Sequence, residues 1–270
     1  MSRVAGWGAL IIGDEITRGR RQDGHFRRVV EVLAERGLQL DWAMYAGDNR
    51  QRLTETLRRT MASGDVVFSF GGIGVTPDDH TRQAAASAAG VTVALHPDAE
   101  SEIRARFAET GAEITPQRLQ LGEFPAGSRI IPNPYNRIPG FSLGDHHFFP
   151  GFPQMAWPML EWVLQTCYAE HFHAVVEAEQ AIIVWEGTEG ALLELMRRVE
   201  ANYSRARLFS LPSFGSESMR RHIELGMRGD PVQVAAAMAE IRAEVSRLGY
   251  VWEERDKKTP AQGRGESSRR

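Results

Sequence analysis

The sequence predicts an α/β protein with a three-layer, mostly parallel sheet, followed by a small α+β ferredoxin-like domain. Short apolar runs alternate with amphipathic stretches through about residue 165, which is typical of βαβ units. Beyond that point the element order becomes β-α-β-β-α-β, the order of the split βαβ module. A chain of 270 residues with 42% hydrophobic content can bury one large core or two modest ones.

The elements of the first part follow from hydrophobic periodicity and from turn residues. We expect strands at 8–13, 38–45, 65–70 and 91–95, and helices at 26–36, 50–61, 79–89 and 97–109. The short connections imply right-handed crossovers and a parallel sheet. FSLGDHHFF predicts a hairpin that turns at Gly144 and Asp145, and a helix at 155–168 closes the domain.

The second part is predicted to be a separate, smaller unit. We expect strands at 174–185, 206–211, 222–227 and 250–253, with helices at 189–203 and 231–248. The predicted domain bounds are 1–170 for the α/β domain and 171–254 for the βαββαβ domain. Residues 255–270 are rich in charge, and we expect this tail to be disordered.

Composition narrows the classes of function. The net charge of −3 gives no sign of a nucleic-acid partner. No apolar run approaches the roughly 20 residues that a membrane span needs, so we expect no membrane partner. Cys167 is the only cysteine, which fits a reducing compartment and predicts a cytoplasmic protein.

Acidic residues follow three of the predicted strands. Gly13, Asp14 and Glu15 come after the first strand, Asp48 after the second, and Thr76–Asp79 after the third. If these strands are adjacent and parallel, the carboxylates gather at one edge, where α/β sheets bind ligands. Such a cluster is costly without a cation. Asp48 and Asp78 are therefore the predicted ligands of a Mg²⁺ ion that also contacts substrate phosphates.

Glycines precede the third acidic segment. Gly71, Gly72 and Gly74 can adopt positive φ and expose backbone N–H groups, and the next helix adds its positive end. The loop can therefore bind a phosphate. The alternative is that Asp78 and Asp79 are plain N-cap and first-turn residues, positions that favour Asp without any function.

Five motifs in order resemble the molybdopterin-binding domain family, and within it the N-terminal part of CinA-type competence/damage-inducible proteins. They are GDEI-x-x-G at 13–19, Gly-Asp at 47–48, GGIG-x-TPDD-x-T at 71–81, NP-x(4)-PGF at 133–141 and PGFP at 150–153. The resemblance covers residues 6–170. It does not extend to the C-terminal deamidase domain of full-length relatives, so deamidation is not implied.

The resemblance implies a pocket for a phosphorylated pterin, such as molybdopterin, or a nucleotide, and possible metal-dependent cleavage of ADP-ribose. Asp48 and Asp78 are the residues we expect to be catalytic. The predicted ligand-binding residues are Gly13, Asp14, Glu15, Gly71, Gly72, Gly74, Thr76, Asp79, Thr81, Asn133, Arg137, Pro139 and Gly140.

Three segments depart from the family pattern. The family often has Asp-Thr-Asn where this chain has Asp23-Gly24-His25, and a small Gly-Thr-Ala step where residues 135–138 stand. Arg137, in the second segment, either reshapes the pocket or adds a phosphate contact. The family also commonly has a Glu after the PG-x-P turn, where this chain has Gln154. The missing Glu weakens the prediction of catalysis.

Three functions remain open from the sequence. The first is a Mg²⁺-dependent nucleotide or pterin phosphohydrolase, in which positioning and charge neutralisation dominate. The second is a non-catalytic protein that binds a pterin or nucleotide in the same pocket. In the third, the ferredoxin-like module docks a partner. The aromatic residues of the closing segment favour self-association as a dimer.

Overall fold

The chain folds into two compact units, within residues 1–174 and 175–270. They are seen in a computed structural model that describes residues 4–174, 177–215 and 220–255. All of the predicted disordered tail except Arg255 lies outside the described residues.

The first unit is built on a six-stranded mixed sheet in the order β2-β1-β3-β8-β7-β6. Strands β1, β2, β3 and β8 run parallel, and β7 and β6 are antiparallel to their neighbours. The strands of the unit are β1 Trp7–Ile12, β2 Trp42–Ala46, β3 Val66–Phe70, β4 Val93–Leu95, β5 Glu123–Pro125, β6 Arg129–Ile131, β7 Gly140–Leu143 and β8 His146–Phe149.

Helices cover both faces of this sheet, which makes three layers. The helices are α1 Asp14–Thr17, α2 His25–Ala34, α3 Arg50–Met61, α4 Thr81–Ala89, α5 Pro97–Thr110, α6 Pro116–Leu119 and α7 Pro153–Cys167. One core lies between the sheet and α2 with α7, and a second lies between the sheet and α3, α4 and α5. Strand β1 is buried along its whole length because neighbours in the two cores take its alternate side chains. The predicted α/β fold class is confirmed.

The prediction that the fourth strand, at 91–95, belongs to the parallel sheet is wrong. Strand β4 does not extend the parallel sheet but pairs antiparallel with β5 in a separate two-stranded sheet. Its residues are only partly buried, whereas the place beside β3 is filled by the fully buried β8. The hairpin that delivers β8 turns at Gly144, as predicted, with φ of 59°.

The second unit is a four-stranded antiparallel sheet in the order β10-β11-β9-β12. Its elements are β9 Ala178–Trp185, α8 Glu189–Asn202, β10 Ala206–Ser213, β11 His222–Gly229, α9 Pro231–Arg247 and β12 Trp252–Glu254. Both helices pack on one face and enclose a core of their own. This is the ferredoxin-like arrangement that the sequence predicts.

Among the described helices, none combines the length and the hydropathy that crossing a membrane requires.

Candidate functional site

The carboxyl ends of β2, β1 and β3 lie side by side, because these strands are adjacent and parallel. The loops that leave them carry the predicted acidic residues at 14–15, at 48 and at 78–79. In open α/β sheets this edge is where ligands bind. We call the carboxylates of Asp14, Glu15, Asp48 and Asp78 the acidic edge.

Two of these loops are tied together through reciprocal hydrogen bonds. The Asp14 backbone N–H donates to Asp48 Oδ2 at 2.8 Å, and the Asp48 N–H donates to Asp14 Oδ1 at 3.2 Å. Gly47 makes this approach possible, since a Cβ there would lie 2.5 Å from Asp14 Oδ1. Arg18 also donates to Asp14 Oδ2, at 2.5 Å.

Burial and the charges at the acidic edge raise the pKa of Asp48. Burial is the largest cause. The hydrogen bond from the Asp14 N–H lowers the pKa, whereas the neighbouring charges of Asp14, Glu15 and Asp78 raise it further. The Glu15 carboxylate folds back toward Gly13, where an added Cβ would lie 2.6 Å from Glu15 Oε2. The fold therefore gathers acidic groups whose mutual repulsion favours a ligand that donates hydrogen bonds or carries positive charge.

The glycines after β3 are required by close packing within the loop. Gly71 has φ of 102° and Gly72 has φ of 68°, conformations that other residues rarely adopt. A Cβ on Gly71 would lie 2.3 Å from the Ile12 carbonyl oxygen, and one on Gly72 would lie 2.2 Å from Thr81 Oγ1. Gly74 does not use a positive φ. Gly74 is needed instead because a Cβ there would meet Asp79 Oδ2 at 2.4 Å.

The Thr76 hydroxyl contacts both of the adjacent aspartates, Asp78 and Asp79. Its hydroxyl lies 2.6 Å from Asp78 Oδ1 and 2.6 Å from Asp79 Oδ2, and its backbone N–H donates to Asp79 Oδ2 at 2.8 Å. The hydrogen bond from Thr76 is the main cause that lowers the pKa of Asp78. Asp79 thus stabilises the turn before α4. The alternative that Asp78 and Asp79 are N-cap and first-turn residues is wrong, because α4 begins at Thr81 and its N-cap residue is His80. Asp78 is exposed and acts on Asp48 through its charge.

Thr81 holds the glycine loop in place through two hydrogen bonds. Its side chain is buried, its hydroxyl donates to the Gly71 carbonyl at 3.1 Å, and its N–H donates to the Gly72 carbonyl at 3.0 Å. These contacts make Thr81 a positioning residue for Gly71 and Gly72.

The NP-x(4)-PGF segment, residues 133–141, makes its polar contacts away from the acidic edge. Asn133 is buried, and its amide donates to Asn136 Oδ1 at 2.8 Å and to the Ile138 carbonyl at 2.9 Å. Pro139 is also buried, and a Cβ on Gly140 would lie 2.3 Å from the Phe148 carbonyl oxygen. These residues shape the loop and its entry into β7.

Arg137 is held by carboxylates of α5. It donates to Glu102 Oε2 at 2.9 Å and to Glu109 Oε1 at 2.5 Å, and these contacts, Glu102 first, raise its pKa. Its positive φ of 62° is a strained conformation for a residue with a side chain. A phosphate contact by Arg137 would therefore have to compete with two ion pairs.

His25 was noted in the sequence only as a departure from the family pattern, yet it joins three segments near the glycine loop. Its ring stacks on Phe70 with centroids 4.5 Å apart, and Nε2 lies 3.2 Å from the Gly151 carbonyl oxygen. A Cβ on Gly151 would in turn lie 3.5 Å from Gly71 Cα. Burial lowers the pKa of His25. A neutral histidine thus fixes the PGFP turn against the end of β3.

Arg82 is a site residue that sequence reasoning missed. It follows Thr81 on α4, is only 3% exposed, and donates to the backbone carbonyls of Gly74, Gln120 and Glu123. It ties the glycine loop to the segment before β5. Nothing in the sequence distinguishes it from a surface arginine in a first helical turn.

A metal ion has no ready-made site among the residues that the structure describes. They include no group of three or more His, Cys, Asp or Glu side chains able to hold one. Asp48 and Asp78, the predicted Mg²⁺ ligands, would supply two carboxylates at most. The side chains present do not fit a resident Mg²⁺ centre.

Comparison with known proteins gives a family. Residues 8–169 match the model of a probable molybdopterin binding domain, which is more than half of the chain. The chain is also similar to a crystal structure described as the protein CinA with unknown function, from Thermoplasma acidophilum. The identity is 26%, the match covers 60% of this chain and 97% of that one, and the TM-score is 0.54.

Similar curated sequences carry the name CinA-like protein. One from Syntrophotalea carbinolica is 29% identical over 242 residues, which is 86% of this chain and 56% of the relative. Another, from a Sulfurihydrogenibium species, is 32% identical over 132 residues, 49% of this chain and 33% of the relative. The chain thus spans between a third and just over half the length of these relatives. Through its first unit, the chain belongs to the molybdopterin-binding domain family.

Proposed function

We propose that the first unit binds a small phosphorylated ligand of the pterin or nucleotide class between the acidic edge and the glycine loop. The observation that carries the proposal is the environment of Asp48. Its carboxylate is partly buried, and this burial, together with the charges of three neighbouring acids, raises its pKa. An arrangement of this kind costs stability in the free protein and is typical of binding sites.

Hydrogen-bond donors on the ligand would offset the repulsion at the acidic edge. A carboxylate accepts strong, charge-assisted hydrogen bonds, and both pterins and nucleotides present N–H or ribose O–H groups. Asp48 Oδ2 already accepts from Asp14 N–H, and its remaining lone pairs suit a ring amine or a ribose hydroxyl. A resident metal ion is not needed for this role.

The phosphate would lie on the other side of the same pocket, at the loop that starts with Gly71. Positive φ at Gly71 and Gly72 turns the chain back on itself and leaves backbone N–H groups as donors. Thr81, the first residue of α4, already donates its N–H to the Gly72 carbonyl at 3.0 Å. The N–H groups of the loop itself are therefore the donors for the phosphate.

Binding is tested by calorimetric titration with ADP-ribose, AMP and a pterin phosphate, without added metal. We expect at least one of them to bind, and Asp48→Asn to weaken it roughly 5- to 150-fold, the range that corresponds to about 1–3 kcal/mol. Asp98→Asn is the matched control, because Asp98 is an exposed acid of the same unit at the start of α5. Absence of binding by all three ligands, or equal losses in both variants, would contradict the proposal.

Metal-dependent cleavage of a pyrophosphate is a second candidate, supported by the acidic edge lying next to a phosphate-binding type of loop. Mg²⁺ is commonly held by one or two carboxylates plus substrate phosphates, so the ion would arrive with the ligand and meet Asp48 and Asp78. Incubation with ADP-ribose and Mg²⁺, followed by assay of AMP, tests this function. Measurable binding without AMP release excludes the enzyme. AMP release that survives Asp48→Asn with Asp78→Asn excludes these two residues as its site.

A further inference from the structure

A second cavity lies at the start of α4, outside the acidic edge. It has a volume of about 290 Å³, and its lining includes Arg50, Thr76, His80, Arg82 and Gln83. Asp14, Asp48 and Asp78 are not among its lining residues. The turn 76–79 thus has the acidic edge near Asp78 and this separate polar cavity near Asp79.

Arg82 brings a buried positive charge to this cavity. Its two terminal nitrogens donate only to backbone carbonyls, those of Gly74, Gln120 and Glu123, while its Nε is buried without a hydrogen-bond partner. A buried guanidinium is normally matched by an anion and by bonds to all of its N–H groups. The carbonyls supply neither full charge balance nor a partner for Nε.

Further donors surround the same space. Gln83 has a buried amide oxygen without a partner, and rotation of the amide by 180° would present its NH₂ group instead. The first turn of α4 has no side-chain cap, so its backbone N–H groups add partial positive charge. Arg50, exposed at the start of α3, adds a positive charge to the lining.

Two acids share the cavity with these donors, but they leave the Arg82 Nε–H without a hydrogen-bond partner. Asp79 and Glu123 are both in the lining, and their charges act on Arg82. Asp79 Oδ2, however, already accepts from the Thr76 N–H and lies 2.6 Å from its hydroxyl. Asp79 and Glu123 therefore balance Arg50 and Arg82 in formal charge, but neither acid accepts a hydrogen bond from Arg82 Nε.

We propose that this cavity is a second binding site, for a phosphate-sized oxyanion held by Arg50, Arg82 Nε, Gln83 and the backbone N–H groups of Arg82 and Gln83 in the first turn of α4. The inference does not depend on the proposed function, because none of these donors belongs to the acidic edge. An anion here would meet the same turn that holds Asp78 through Thr76, so its binding would also stabilise that turn.

The test is an NMR titration of the full chain with inorganic phosphate, following the Nε–H signal of Arg82 and the backbone amides of Arg82 and Gln83. We expect all three signals to shift with saturation, and sodium chloride at equal ionic strength to leave them in place. Sulfate is expected to act like phosphate, whereas acetate, with a single charge, is expected to act more weakly. Signals that do not move, or that move equally with chloride, would overturn the proposal.

Two variants locate the anion without removing the structural arginine. Gln83→Glu places a carboxylate in the cavity and is expected to abolish the phosphate response, and Arg50→Gln is expected to weaken it several-fold. Arg58→Gln, an exposed arginine on the same helix α3 outside this lining, is expected to leave it unchanged. An undiminished response in Gln83→Glu would overturn the assignment. Asp48→Asn separates the two sites, because its loss of pterin or nucleotide binding should leave the phosphate response intact.

Discussion

At the residue scale, Asp48 connects local geometry with the proposed function. Its reciprocal bonds with Asp14 hold two loops together, and the absence of a side chain at Gly47 leaves room for the Asp14 carboxylate. The price is a carboxylate held close to three others. Residues with this combination are more often selected for binding than for stability.

We predict that Asp48→Asn stabilises the free protein at neutral pH while it weakens ligand binding. The folded-state pKa of Asp48 is raised, so the charged form costs stability above that pKa, and the cost disappears as pH falls below the unfolded value. Asn keeps an oxygen acceptor for the Asp14 N–H and carries no charge. Thermal unfolding at pH 7.5 should show a higher midpoint, by about 2–4 °C for each kcal/mol removed, and the difference should vanish at pH 3. A lower midpoint at pH 7.5 would contradict this account.

Gly72 provides a second prediction for a single residue. Gly72→Ala should destabilise the first unit more than Gly90→Ala, although φ is similar at the two sites, 68° and 71°. Both changes cost about 1–2 kcal/mol for the left-handed backbone. Only Gly72→Ala adds a Cβ 2.2 Å from Thr81 Oγ1, whereas Gly90 has open space. Urea denaturation measures the difference, which should shrink in a Thr81→Ala background. Equal losses at Gly72 and Gly90 would show that the contact is unimportant.

The sequence predicts the positions of some site residues but not the contacts of others. The loops of Asp14, Asp48 and Asp78 follow from strand order and short connections, so their convergence was predictable. The ion pairs of Arg137 with Glu102 and Glu109 were not predictable. Both acids belong to a helix whose distance from residue 137 is set only by the fold. Arg82 gave no signal, since burial of an arginine depends on the carbonyls that the folded chain brings to it.

At the scale of elements, helix bounds were easier to predict than strand partners. Helix α3 has its predicted bounds because Asn49 caps it, accepting from the Arg52 N–H at 3.0 Å. Strand β4 was assigned to the wrong sheet, because a short apolar run does not reveal which neighbour it pairs with. Strand β2 begins at Trp42, later than predicted, after Asp41 bonds to both the N–H and the carbonyl of Trp7.

The hairpin of β7 and β8 carries a buried polar network built on its two adjacent histidines, His146 and His147. Tyr168 OH donates to Asp145 at 3.1 Å and lies 2.7 Å from His147 Nε2, and His147 Nδ1 lies 2.7 Å from Ser142 Oγ. This order of donors makes His147 a neutral imidazole with its proton on Nε2. On the adjacent residue, His146 Nε2 lies 2.9 Å from Thr60 Oγ1.

Because these histidines are buried, we predict that the free energy of unfolding decreases in acid. Burial lowers the pKa of His146 to about 4 and that of His147 to about 3. Unfolded histidines bind protons below about pH 6.5, so stability falls as pH drops from there toward 4. The two together contribute up to about 2.7 kcal/mol per pH unit.

The variant His146→Gln keeps an amide near Thr60 and removes one of these protons. Its stability should depend less steeply on pH between 6 and 4.5, by up to about 1.4 kcal/mol per unit. Urea unfolding at several pH values measures the slope, with His222→Gln in the second unit as the control. An unchanged slope in His146→Gln would mean that this histidine is not held neutral by burial.

At the scale of the whole molecule, the described residues form separate cores. The first unit has two, one on each face of its sheet, and the second unit has its own. No residue belongs to a core of both units. The proposed ligand site and the second cavity are both built from residues of the first unit alone.

We therefore predict that a fragment of residues 1–174 folds and binds ligand without the second unit. Its thermal midpoint should match that of the corresponding transition in the full chain within about 2 °C, the shift expected from less than 1 kcal/mol. Calorimetry of the fragment and of the full chain measures both quantities. A fragment that fails to fold, or that folds and binds more than tenfold less tightly, would show that the second unit contributes to the site.

The central claim is that the acidic edge and the glycine loop form one ligand site. A crystal structure of the protein with bound ADP-ribose or a pterin phosphate tests it most directly. We predict a phosphate oxygen about 2.7–3.2 Å from backbone N–H groups of residues 72–75, with a ring N–H or ribose hydroxyl donating to the Asp48 carboxylate. A ligand bound away from Asp48, or one whose phosphate avoids the glycine loop, would contradict the account.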